Sequence, residues 1–149
     1  MEELNELYQQ VILDHNKSPR NFGEMENPSH TAEGFNPLCG DHFNVDLLLD
    51  GERIKDIRFH GAGCAISKSS ASIMTSILKG KTKAEAEQIF EQFHHLVTED
   101  HTDEEELMAL GKLAVFAGVK EFPTRIKCAS LAWHTMKAAM DGEEMVSTE

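Results

Sequence analysis

The stretch from Asn44 to His60 constrains the fold of this chain more than any other. Val45, Leu47 and Leu49 alternate, Ile54, Ile57 and Phe59 follow, and Asp50-Gly51 stands between the two runs. An Asp-Gly pair flanked by apolar alternation predicts a β-hairpin over 44–49 and 53–60. A further strand around His30 to Phe35 would complete a small antiparallel sheet. From Ile66 the period turns helical, with Ile66, Ile73, Met74, Ile77 and Leu78 on one stripe ending at Gly80, and helical character then dominates to the end.

The other helices follow from periodicity and punctuation. Leu4, Leu7, Tyr8, Val11 and Ile12 predict a first helix over about residues 2–16, stopped by Pro19, Asn21 and Gly23. Thr82 with Glu85, and Thr102 with Glu105, are capping-box pairs that start fresh helices. The first of these buries Ala86, Ile89, Phe90 and Phe93, the second Leu107 and Leu110. The apolar segment Leu113 to Val119 leads to Pro123, acceptable in a first helical turn. Ile126 to Met140 then forms the last helix, with Cys128 in its opening turn, and residues 142–149 read as a frayed tail.

At 149 residues the chain suits a single domain with a real core. Its 14 Lys and Arg against 26 Asp and Glu give a net charge of -12, which repels a phosphate backbone and argues against nucleic acid as a partner. No apolar run reaches membrane-spanning length, and the acidic start from Met1 to Asp14 lacks the basic and apolar regions of an export signal. The expectation is a cytoplasmic protein with no membrane contact and reduced thiols.

Cys39, Cys64 and Cys128 are those thiols, and the first two are wrapped in glycine, in Asn36-Pro37-Leu38-Cys39-Gly40-Asp41 and Gly61-Ala62-Gly63-Cys64. A structural cysteine behaves as a small buried hydrophobe and needs no special backbone, whereas glycine permits close approach and unusual dihedrals. This context suggests a ligand or a nucleophile. With Asp41 the chain could offer three sulfurs and one oxygen, a set that suits zinc. The long intervals between the cysteines match no compact zinc pattern such as paired CxxC; what favours a site is that all three fall at element ends. Helix N-termini at Cys64 and Cys128 would stabilise thiolates, and Arg125 and Lys127 flank Cys128.

These runs, with Ala65-Ile66-Ser67-Lys68-Ser69-Ser70-Ala71-Ser72, Gly80-Lys81-Thr82 and the late Lys127-Cys128, resemble the U-type iron-sulfur cluster assembly proteins, the family of IscU, SufU and the N-terminal domain of NifU. The resemblance covers almost the whole chain. It implies an α+β fold: a small antiparallel sheet of about three strands with helices packed on one face and the metal site at one end. IscU-like scaffolds carry a histidine immediately before the last cysteine, within a Leu-Pro-Pro-Val-Lys segment read by an Hsp70-type chaperone. Here the segment is Glu121-Phe122-Pro123-Thr124-Arg125-Ile126-Lys127. An acidic helical stretch from about His94 to Val119 resembles the insertion of SufU. Both departures point to the SufU branch.

In that branch the resemblance implies a zinc site of Cys39, Asp41, Cys64 and Cys128, with Asp41 in place of the missing histidine and Arg125 and Lys127 as supporting cations. A carboxylate is the hardest of the four donors and is expected to exchange most easily. The resemblance further implies a sulfurtransferase that accepts persulfide at Cys39 from a cysteine desulfurase (SufS-like) and passes it to an assembly scaffold (SufBCD-like). The partner is thought to lend the zinc a histidine and so release Cys39. The alternative is a scaffold building a [2Fe-2S] cluster on the same cysteines; a third reading is a structural zinc domain. His94, His95 and His101 read as solvated, His42, His60 and His134 as hydrogen-bonding or supporting residues, and Trp133 as core.

Overall fold

The computed structural model describes residues 2–99 and 103–147. Helix α1 (Glu2–Lys17) is followed by strands β1 (His30–Asn36), β2 (Asp41–Asp50) and β3 (Arg53–Ala62). Then come α2 (Ala65–Leu78), α3 (Lys83–Thr98), α4 (Glu104–Leu110), a 3-10 stretch (Gly111–Glu121), α5 (Pro123–Met140) and β4 (Met145–Ser147). The α+β class and the hairpin expected from Asp50-Gly51 are both present. The sheet order is β3-β2-β1-β4, with β2 antiparallel to both of its neighbours.

Alternation sorts the strands into two faces. Ala32 and Asn36 of β1, Asp41, Phe43, Val45 and Leu47 of β2, and Ile54, Ile57 and Phe59 of β3 are all buried. Pairings such as Ala32↔Val45, Asn36↔Asp41 and Val45↔Phe59 line them up on one face, which α2 and α5 cover, while α1 packs on α2. Asn36 and Asp41 thus continue the core stripe to the end of the sheet, where polar side chains replace apolar ones. Trp133 of α5 is 1% exposed and fills the centre. Its Nε1 donates to Ser70 Oγ of α2 at 3.1 Å, and that hydroxyl donates to the carbonyl of Ala129 at 2.6 Å.

The C-terminal segment differs from the frayed tail that was expected. Met145–Ser147 pairs in parallel with Glu33–Phe35, and Glu33 N donates to the carbonyl of Glu144 at 2.8 Å. Gly142, at φ +78°, turns the chain back from α5. The unpaired amides of β1, which an exposed edge would leave bare, are partly covered by this fourth strand.

The helix caps follow their sequence signals. Thr82 Oγ1 accepts from Glu85 N at 3.1 Å while Glu85 Oε1 accepts from Thr82 N at 3.0 Å, so both halves of the α3 capping box form. Thr102 of the second pair lies outside the described residues; α4 is capped by Asp103, whose Oδ1 accepts from Glu106 N at 2.9 Å. The described part of the expected helical insertion falls in α3, α4 and the 3-10 stretch, where Phe116 packs against Phe93 with ring centroids 5.9 Å apart. No described helix is long and apolar enough to cross a membrane.

One buried histidine joins α1 to α2. His15 is 2% exposed, and its Nδ1 lies 2.7 Å from Ser72 Oγ, which also accepts from Arg20 N at 2.8 Å. A neutral ring with Nδ1 unprotonated can accept from this hydroxyl. Burial first, and then the cations of Arg20 and Lys112, lower the His15 pKa. The unfolded chain takes up this proton near the ordinary value of about 6.5. The unfolded state therefore binds more protons below that pH, and stability falls as the solution is acidified until the folded pKa is passed. His134, whose pKa burial and His94 also lower, adds to the same slope. The urea midpoint is expected to drop between about pH 8 and about pH 5, and to drop less in His15→Asn, whose side-chain carbonyl can still accept from Ser72.

Candidate metal centre

The donors come from two element junctions at one end of the sheet and from the second turn of α5. Residues 37–40 form the tight turn between β1 and β2. Cys39 N and Gly40 N both donate to the carbonyl of Asn36, at 3.2 and 2.9 Å, and Gly40 takes φ +72°. The turn presents Cys39 to solvent, whereas Asp41, the first residue of β2, points inward and is 2% exposed. Cys64 follows β3 and is the N-cap of α2. Its Sγ accepts from Ser67 N at 3.5 Å, a role more often filled by an oxygen. Cys128 is buried on α5. Because α5 begins at Pro123, Cys128 lies in the second turn and not, as expected, in the first.

These elements converge. Ligand atoms of Cys39, Asp41 and Cys128 all lie within 4.8 Å of one another. Cys128 Sγ stands 3.3 Å from Cys39 Sγ, and Cys64 Sγ 4.0 Å from Asp41 Oδ2. Thiolates around a tetrahedral zinc at about 2.3 Å would sit about 3.8 Å apart, so Cys39, Asp41 and Cys128 have the right chemistry and nearly the right spread for such an ion, while Cys64 stands beside Asp41 but outside that 4.8 Å group. The electrostatics agree. Burial, then hydrogen bonds with Cys39 and Cys64 and the charges of Cys64 and Asp41, push the Cys128 thiol well above its usual range. A cation among these groups would reverse that balance.

Asp41 is held on both carboxylate oxygens. Cys64 N donates to Oδ1 at 2.9 Å and Asn36 Nδ2 to Oδ2 at 3.3 Å. Gly63 permits this contact: a Cβ there would lie 2.8 Å from Asp41 Oδ1 and 2.6 Å from both Phe43 Cε2 and Ser67 Oγ. The same Asn36 amide lies 3.5 Å from Cys128 Sγ. No role was assigned to Asn36 from sequence, although it continues the inward stripe of β1 and therefore had to face the site.

The supporting residues are placed differently from the expectation. The Arg125 guanidinium lies 4.3 Å over the Phe122 ring, and Lys127 lines a 250 Å³ cavity with His94, Ser130 and His134. Among the described residues neither cation makes a hydrogen bond or ion pair to the four donors. His42 stacks on Phe35 at 4.5 Å, and His60 stands 3.7 Å from Asp46, both on strand positions directed away from the helices. His94 and His95 are exposed, as expected, His95 standing 3.1 Å from Glu106 and His94 stacking on Phe90. His101 lies outside the described residues.

Known proteins share this architecture. The zinc-dependent sulfurtransferase SufU of Bacillus subtilis is 40% identical over 141 residues, covering 95% of this chain and 94% of that protein. The iron-sulfur cluster assembly scaffold protein IscU of Streptococcus pyogenes is 37% identical, covering 94% and 86%. A crystal structure of a candidate cluster assembly scaffold protein for the SUF system of Fervidobacterium islandicum superposes with a TM-score of 0.81 at 36% identity, over 88% of this chain and 94% of that one. Residues 7–140 match the family described as NifU-like N terminal domain. The chain therefore belongs to the NifU-like N-terminal domain family, within which SufU and IscU are its relatives.

Proposed function

We propose that this chain is a zinc-dependent persulfide acceptor and carrier of iron-sulfur cluster biogenesis. It takes sulfur from a cysteine desulfurase at Cys39 and passes it to an assembly scaffold. The observation that carries this reading is the inequality of the three thiols: Cys39 is exposed on a glycine-flanked turn, Cys64 is half-buried and Cys128 buried. The similarity to the zinc-dependent sulfurtransferase of Bacillus subtilis supports it.

Cys39, Asp41, Cys64 and Cys128 would hold the ion. Bound zinc would supply the positive charge that keeps the thiols ionised. The remaining work belongs to the chain. The Cys39 thiolate attacks the outer sulfur of the desulfurase persulfide; an S–S bond forms at Cys39, the S–S bond within the desulfurase breaks, and the desulfurase cysteine leaves as a thiolate. The transferred sulfur keeps its proton and no external oxidant or reductant is needed. In the second step a scaffold thiolate attacks that same outer sulfur, and Cys39 leaves as a thiolate. Asp41 and Cys128, both buried, keep the site in shape while Cys39 moves.

The streptococcal relative named as a scaffold favours a second reading, assembly of a [2Fe-2S] cluster on the same cysteines. Metal analysis of protein purified without added metal separates the two. A single zinc per chain, with no stable cluster after anaerobic reconstitution, is expected; an intact, transferable cluster that displaces zinc would overturn the proposal. Far-ultraviolet circular dichroism after chelation should keep its helical signal, because the core from Phe43 to Trp133 is buried independently of the site. Global unfolding on chelation would instead indicate a structural zinc domain.

A further inference from the structure

Asn36 is 1% exposed and closes β1 directly opposite Asp41 in the sheet register. Its carbonyl accepts from Cys39 N and Gly40 N and so shapes the turn that carries Cys39. Its side-chain nitrogen lies 3.3 Å from Asp41 Oδ2 and 3.5 Å from Cys128 Sγ. Both neighbours are acceptors, which fixes the orientation of the amide with nitrogen toward them, and an amide nitrogen carries two hydrogens, one for each. Asp41 Oδ1 is occupied separately by Cys64 N. We propose that Asn36 is the positioning residue of the metal centre: its side-chain amide clamps Asp41 and Cys128 in the ligating arrangement, while it reaches Cys39 through the backbone of the turn.

The clamp is neutral, so it fixes two anionic donors without adding charge to the site. It also spans the two elements that must stay together, the start of β2 and the second turn of α5. A ligating carboxylate or thiolate retains lone pairs for such outer contacts, and removing partners of this kind typically lowers metal affinity about 10–100-fold. An aspartate in place of Asn36 would put an acceptor against two acceptors. Serine would keep the backbone carbonyl that holds the turn but could not reach both.

The inference rests on the reading of this site as a metal centre, but not on sulfur transfer. The test measures zinc affinity by competition with a chromophoric chelator, and the absorption of the cobalt(II)-substituted protein, for wild type, Asn36→Asp and Asn36→Ser. Circular dichroism of the metal-free proteins establishes that each is folded. Both variants are expected to lose about 10–100-fold in zinc affinity and to show altered cobalt ligand-field and thiolate charge-transfer bands, a signature that a merely structural loss would not produce. Should Asn36→Asp not fold, Asn36→Ser, which adds no charge and no bulk, decides alone. A folded variant with wild-type zinc affinity and an unchanged cobalt spectrum overturns the clamp. A wild-type chain that binds neither metal overturns the metal reading itself, and this inference with it.

Discussion

Cys39→Ala is expected to reduce the stimulation of a cysteine desulfurase to the rate of the desulfurase alone, measured as alanine release from L-cysteine. The exposed turn carries the most accessible of the three thiols. Removing its nucleophile ends the relay at its first step, so the loss should be complete and not graded. Stability should hardly change, within about 0.5 kcal/mol, because little packing is lost at an exposed position. Stimulation that survives in Cys39→Ala would mean that sulfur enters elsewhere or that the protein acts without accepting it.

Cys64 has two separable duties, and its variants are expected to divide them. Its sulfur caps α2 through Ser67 N and stands beside Asp41, while its backbone N holds the Asp41 carboxylate. Cys64→Ala should lose the cap and the metal ligand together. The metal-free protein is then destabilised by about 1 kcal/mol and zinc no longer binds at wild-type affinity. Cys64→Ser supplies a preferred capping oxygen, so the metal-free protein should melt at or near the wild-type temperature, yet zinc affinity should fall as in the alanine variant. If the two variants are equally unstable without metal, the cap plays no part; if both retain zinc, Cys64 is not a ligand.

The parts of the fold visible in sequence are those governed by local rules. The hairpin at Asp50-Gly51, the α3 capping box and the stripe of α2 each depend on neighbours within a few residues, and they lie where expected. β4 was not visible, because Met145-Val146-Ser147 is too short to announce a strand and pairs only with the edge that β1 offers far away in sequence. Pro123 at the first position of α5 starts that helix earlier than its apolar pattern begins at Ile126, which moved Cys128 out of the first turn.

The site shows the same division. Glycine context singled out Cys39, Cys64 and their neighbour Asp41, and the structure brings Cys39, Asp41 and Cys128 together with Cys64 alongside. The hierarchy of restraint was hidden, because it arises from contacts across the fold: Asn36 with Cys128, Gly63 with Asp41, Cys64 N with Asp41. Flanking charge misled for Lys127, since on a helix the residue before a buried cysteine points elsewhere, here into a cavity beside His94 and His134.

In the proposed relay Cys39 receives sulfur while the other donors stay in place. Incubating the zinc-loaded protein with a cysteine desulfurase and L-cysteine, trapping persulfides by alkylation, and locating the added sulfur by peptide mass spectrometry tests it most directly. One extra sulfur atom is expected on the peptide containing Cys39 and none on those containing Cys64 or Cys128; sulfur on Cys64 or Cys128, or on no cysteine of this chain, would rule the relay out.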